Sequence, residues 1–154
     1  MSESETVRAT VVRAGGPVVS AARTGLGTWT ETEDLPGSCR AALLAFRLAD
    51  DVTPVVDTAA LGVLFRAVEV LAPMAAEFPD VAALGALDAR TAHTLRTLVH
   101  AESVRAAAAA LGMHHSTLQE RHDKLTRTLG YDPRSATGLA RYELTRLLAR
   151  LNPR

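Results

Sequence analysis

The feature that most constrains this chain is a run of five alanines, 106–110, followed at once by Leu111 and Gly112. Alanine has the highest intrinsic helix propensity, and a run of it removes side-chain bulk, so another helix can cross closely. Gly112 then ends the helix, because a residue without a Cβ enters the left-handed region at little steric cost. Leu111 and Met113 flank it as apolar anchors. A second helix is expected to start near His115 or Ser116 as N-cap. Its Leu118, His122, Leu125 and Leu129 follow at spacings of four, three and four, one inward stripe. Residues 103–130, SVRAAAAALGMHHSTLQERHDKLTRTLG, thus predict a helix over 104–111, a tight turn and a second helix over 115–129. That is the form of a helix-turn-helix.

The side opposite the leucines carries Ser116, Glu120, Asp123 and Arg127, with Gln119 and Lys124 at its edges. When such a helix lies in a major groove, residues near its start reach the bases, which makes His115, Ser116, Gln119 and Glu120 the candidate readers. Glutamine suits adenine, serine either partner, and glutamate the amino group of cytosine. Thr117, Arg121, Lys124 and Arg127 at the margins are expected to hold phosphates and set register. Glu120 and Asp123 run against this reading, since a carboxylate facing phosphates is repelled unless it meets a cytosine donor or a cation. The competing reading of the same stretch is a helical hairpin in an ordinary all-α core.

A chain of 154 residues fits one domain or two small ones and can bury a real core. Aromatic residues make up only 4%, so that core must come from Ala, Leu and Val. Net charge is zero, which argues against indiscriminate attraction to polyanions. The distribution differs. Residues 1–87 hold six arginines against eleven acidic residues, net −5, whereas 88–154 hold eleven Lys or Arg against six acidic residues, net +5. All five histidines, His93, His100, His114, His115 and His122, lie in the basic part. The acidic part is suited to packing or a partner rather than to gripping DNA. Cys39 is the single cysteine, so no internal disulfide forms; its apolar surroundings predict a buried small hydrophobe. The polar start, MSESETVR, lacks the basic and apolar regions of a signal peptide. No run approaches the roughly 20 apolar residues of a membrane span. A cytoplasmic protein with no membrane partner is expected.

Along the chain, the β-branched runs 7–13 and 17–23 predict a hairpin or two strands around Gly15 and Gly16. Residues 24–37 read as a loop, and a helix is expected over 38–49 with Ser38 as N-cap. Residues 53–56 extend briefly, and Asp57 or Thr58 caps one helix through Leu71, stopped by Pro73. Residues 74–87, interrupted by Pro79, form a short helical linker. Asp88 caps a helix to about His100. After Gly130, the Tyr131-Asp132-Pro133 turn leads into a last helix over 140–151. The fold class is therefore mainly α, with a small α+β N-terminal part and a helix-turn-helix bundle at the C-terminus. Domain bounds are 1–72, a linker over 73–87, and 88–154.

In this order of parts, the chain from about Gly25 resembles the C-terminal portion of the PucR/CdaR family of bacterial transcription regulators. The resemblance is carried by LPGSCRAALLAFRLA, VVDTAALGVLFRAVEVLA, TLRTLVHAESVRAAAAALGMHHSTLQERHDKLTRTLGYD and RYELTRLLARL. It implies sequence-specific operator binding by the helix-turn-helix, and a segment over 1–72 that resembles the tail of a degenerate GGDEF-like domain, cut to its last strands and two helices. His114, Thr117, Leu118, Arg121 and Gly130 match the family pattern, which adds His114 to the candidate DNA contacts. His115-Ser116 stand where the family usually has Arg-Asn, Glu120 in place of an aromatic and His122 in place of an aliphatic residue; these departures bear on operator identity. Winged-helix regulators of the LysR type share an alanine-rich helix before a Ser-Thr-Leu helix, but a β-wing follows theirs.

Catalytic and metal constellations are weak. His93 and His100 stand seven apart rather than at the spacing of a helical zinc pair. The Thr24-Gly25-Leu26-Gly27 stretch lacks the third glycine of a phosphate loop, and there is no Gly-x-Ser-x-Gly elbow. The expectation is a non-enzymatic transcription regulator that binds double-stranded DNA as a homodimer, with no cofactor, no metal and no small-molecule effector. The alternative is a protein-interaction module whose vestigial helix-turn-helix docks on a larger regulator.

Overall fold

The computed structural model describes residues 7–12 and 23–151. Two compact units divide between Phe65 and Arg66. The described chain is mainly helical with a small two-stranded sheet near its start.

In the first unit, strand β1 (Thr24–Leu26) is followed by a 3-10 turn (Thr32–Asp34), helix α1 (Leu35–Leu48), strand β2 (Val55–Asp57), the single-turn helix α2 (Thr58–Leu61) and the start of α3 (Val63–Leu71). The two strands pair in parallel, Thr24 opposite Val55 and Leu26 opposite Asp57. Parallel neighbours need a crossover rather than a tight turn, and α1 supplies it. Of the two strands expected over 7–13 and 17–23, residues 7–12 form none, and 13–22 lie outside the described residues. The glycines of the 24–27 stretch serve this packing, since a Cβ on Gly25 would overlap the Ala42 carbonyl of α1. Ala45, Leu48, Ala49, Val56 and Phe65 form the buried core.

Two boundaries and one burial differ from expectation for identifiable reasons. Helix α1 begins three residues early because Pro36 sits in its first turn, where a missing N–H costs nothing. Ser38 is consequently inside the helix, and its hydroxyl donates to the Thr28 carbonyl at 2.7 Å. Asp57 does cap a helix, its Oδ1 accepting from the Ala59 N–H at 2.8 Å, but Gly62 at φ 53° breaks the predicted single helix into α2 and α3. Cys39 is exposed, not buried, because it lies on the outer side of α1 while Ala45 and Leu48 turn inward.

The second unit continues through a 3-10 turn (Ala72–Glu77), α4 (Pro79–Gly85), α5 (Ala89–His100), α6 (Val104–Ala110), α7 (His115–Leu129) and α8 (Ala136–Leu151). Pro79 opens α4 at its first position instead of interrupting it. Helix α4 packs against α8, pinned where Asp80 receives two bonds from Arg141, the second 2.6 Å long. The Arg141 guanidinium also lies 4.4 Å from the Tyr131 ring centre. Helix α8 starts at Ala136, four residues before the expected 140. Asp88 caps α5 as predicted, accepting from the Thr91 N–H at 2.9 Å and the Thr91 hydroxyl at 2.7 Å. The core of α5 to α8 is Leu95, Leu98, Val99, Ala107, Ala108, Leu118, Leu125, Leu129 and Tyr142. Burial of each such leucine is worth about 1.5–3 kcal/mol before the cost of ordering it.

Candidate nucleic-acid interface

Helix α6 presents only two of its five alanines to the core. Ala107 and Ala108 are buried, and Ala106, Ala109 and Ala110 face outward. Both buried alanines belong to the core shared by α5, α7 and α8. Ser103 starts α6, its hydroxyl oxygen accepting from the Ala106 N–H at 3.1 Å. At the other end the Gly112 N–H donates to the Ala109 carbonyl at 3.1 Å and the Met113 N–H to the Ala108 carbonyl at 2.9 Å. This is the paired closure of a Schellman ending. It requires a left-handed residue, and Gly112 has φ 62°.

The second helix is capped one residue earlier than predicted. His114 is the N-cap, with Nδ1 accepting from the Ser116 N–H at 3.4 Å and lying 2.8 Å from the Ser116 hydroxyl. In the tautomer protonated at Nε2, the Nδ1 lone pair is shared between these two donors. Leu118, Leu125 and Leu129 are buried as the stripe requires. His122 belongs to the same stripe, its side chain only 13% exposed.

Opposite that stripe lie Ser116, Glu120, Asp123 and Arg127, with Gln119 and Lys124 at the edges of this face, and His115 and Arg121 closer to the stripe. His114, His115, Ser116, Thr117, Glu120, Asp123, Lys124 and Arg127 are exposed, and Gln119 and Arg121 are half-buried. One chain segment thus brings all the predicted contacts together, with the expected readers in the first two turns and the cations Arg121, Lys124 and Arg127 further along. Gln119 is not free: its Nε2 donates to Asp123 Oδ1 at 3.1 Å.

Residues beyond α7 hold this helix in place, and sequence reasoning missed them. Asp132 Oδ1 accepts from His122 Nε2 at 2.9 Å and from the Arg134 N–H at 2.9 Å. The Arg134 amide first, and His122 second, hold its carboxyl below the usual carboxylate range. Arg134 reaches back to the end of α5, donating to the Leu98 carbonyl, to the Ala101 carbonyl at 2.9 Å and to the Glu102 carbonyl at 3.2 Å. These oxygens belong to the last turn of α5 and the link to α6, where no intrahelical partner remains. The turn after α7 and the link before α6 are therefore tied by one side chain. Asp-Pro before a helix signals the turn, whereas nothing in the sequence signals the target of Arg134.

After α7 the chain turns and enters α8; no strand follows α7 among the described residues. That separates the arrangement from a winged helix, in which strands succeed the reading helix. Among the described residues no group of His, Cys, Asp and Glu has the geometry of a metal site, and no helix is long and apolar enough to cross a membrane.

The geometry of α6, the turn and α7 defines a helix-turn-helix module. The family model for the PucR C-terminal helix-turn-helix domain matches residues 91–147, from the first turn of α5 into the last part of α8. The matched stretch stops short of the segments from which a GGDEF-like resemblance is read. No curated protein and no solved structure matches the chain.

Proposed function

We propose that the chain is a sequence-specific DNA-binding regulator of transcription, which inserts the first two turns of α7 into the major groove. The observation that carries this reading is the exposed polar face of α7, backed by buried Leu118, Leu125 and Leu129 and presented by a turn that Gly112 makes possible. In this reading His115, Ser116, Gln119 and Glu120 meet base edges, and His114, Thr117, Arg121, Lys124 and Arg127 contact the backbone. The match of residues 91–147 to a helix-turn-helix domain supports it. The chain acts as a homodimer whose two α7 helices meet half-sites about one helical turn apart. Residues 88–154 hold the DNA, residues 1–72 serve partner contacts, and neither chemistry nor an effector is required.

Glu120 and Asp123 favour a second reading, a protein-interaction module in which this face meets a cationic partner. Salt-titrated binding to genomic duplex fragments separates the two. DNA binding should weaken steeply as salt rises, because Lys and Arg contacts release counterions. Gln119→Ala should relax preference at one base position, whereas Lys124→Ala should weaken all sequences alike and shallow the salt slope by about one. No binding at low salt, or equal losses for every sequence in both variants, refutes the assignment.

A further inference from the structure

The carboxylate of Asp123 is the least expected group on a face meant for a polyanion, and its contact with Gln119 gives it a purpose. The two residues are one helical turn apart, the spacing at which side chains meet. In that contact Gln119 Nε2 must be the donor, since a carboxylate only accepts. The bond, 3.1 Å long, fixes which way the Gln119 amide points. One Nε2 hydrogen is used, and the second hydrogen together with Oε1 is left as a free donor–acceptor edge. That edge is the complement of adenine, whose N7 accepts and whose N6 amine donates in the major groove. A freely rotating glutamine presents the edge only part of the time and loses rotamer freedom on binding.

We infer that Asp123 is a positioning residue for base reading: it orients Gln119 so that the amide reads adenine, and does not itself touch DNA. This rests on the reading of α7 as the groove-facing helix. It also explains the tolerated negative charge. One of the carboxylate's roughly four acceptor sites is used within the protein, and its repulsion toward phosphate remains as a cost in affinity that accompanies a narrower choice of base.

Selection of binding sites from a randomised duplex library, with the full chain, tests it. The wild-type protein should enrich a motif with one adenine position, and Gln119→Ala should flatten that position by about 5- to 150-fold, the range for a bidentate pair. Asp123→Ala should flatten the same position by at least about fivefold. Asp123→Asn retains an oxygen that can accept from Gln119, so adenine preference should survive while affinity for all sequences rises with the lost charge. If Asp123→Ala raises affinity uniformly and leaves the adenine position intact, Asp123 is only a repulsive charge and the inference fails. It fails equally if the position governed by Gln119 is not adenine. If the wild-type protein enriches no motif, the reading of α7 as a base-reading helix falls as well, and the two failures are thereby distinguished.

Discussion

Replacing Arg134 by alanine should loosen the helix-turn-helix without touching its reading face. The side chain donates to three carbonyls, of which those of Leu98 and Ala101 are partly shielded and that of Glu102 is exposed. A hydrogen bond from a charged donor contributes about 1.5–3 kcal/mol when shielded. Water replaces the exposed bond at almost no cost and the other two in part, which leaves a loss of about 2–3 kcal/mol. With a urea dependence near 1–1.5 kcal/mol per molar for a unit of this size, the unfolding midpoint should fall by roughly 2 M. The amide resonances of Leu118, Leu125 and Leu129 report the transition where it matters. The Arg134→Lys variant carries a single ammonium, which cannot span all three oxygens, so it should recover less than half of the loss. A midpoint for Arg134→Ala within about 0.3 M of wild type would show that the carbonyls find equal partners in water and would remove Arg134 from the support of α7.

Gly112→Ala should destabilise the same unit by about 1–2 kcal/mol through its left-handed backbone alone, since a Cβ there meets no atom within 4 Å; Gly112→Asn should cost less, and thermal unfolding distinguishes them. Acid stability should follow Asp80, Asp88 and Asp132, whose carboxyls are held below the usual carboxylate range chiefly by Arg141, by Thr91 and by the Arg134 amide respectively. Because the folded values are depressed, their contribution is complete above the unfolded value and is lost as pH falls through the folded ones. Urea midpoints measured from about pH 6 down to about pH 2 should therefore drop below about pH 4, and the combined Asp80→Asn and Asp132→Asn substitutions should flatten that limb.

The parts of this fold governed by local rules were legible in the residues. Gly112 and the leucines at 118, 125 and 129 announce a turn and a buried stripe, and Asp88 announces a helix start, because each acts within one or two turns of itself. The helical class follows from the same signals. Strand pairing was not legible: β1 and β2 are three residues each and meet only through the α1 crossover, so no turn sequence records their partnership. The break at Gly62 lay inside an otherwise continuous apolar pattern. Helical period puts Ser116, Glu120, Asp123 and Arg127 opposite the leucine stripe, whereas His115 and Arg121 fall beside it and His114 precedes the helix. Their internal bonding was hidden, because the Gln119–Asp123 and His114–Ser116 contacts depend on rotamers and the Arg134 ties join positions more than thirty residues apart.

The outward-facing thiol of Cys39 has an arithmetic consequence. Each chain owns a single sulfur from cysteine, so oxidation can bridge two copies and then has no further thiol to react with. Covalent growth stops at a pair, and a reagent that couples to thiols marks each molecule once, at a known point on the outer side of α1.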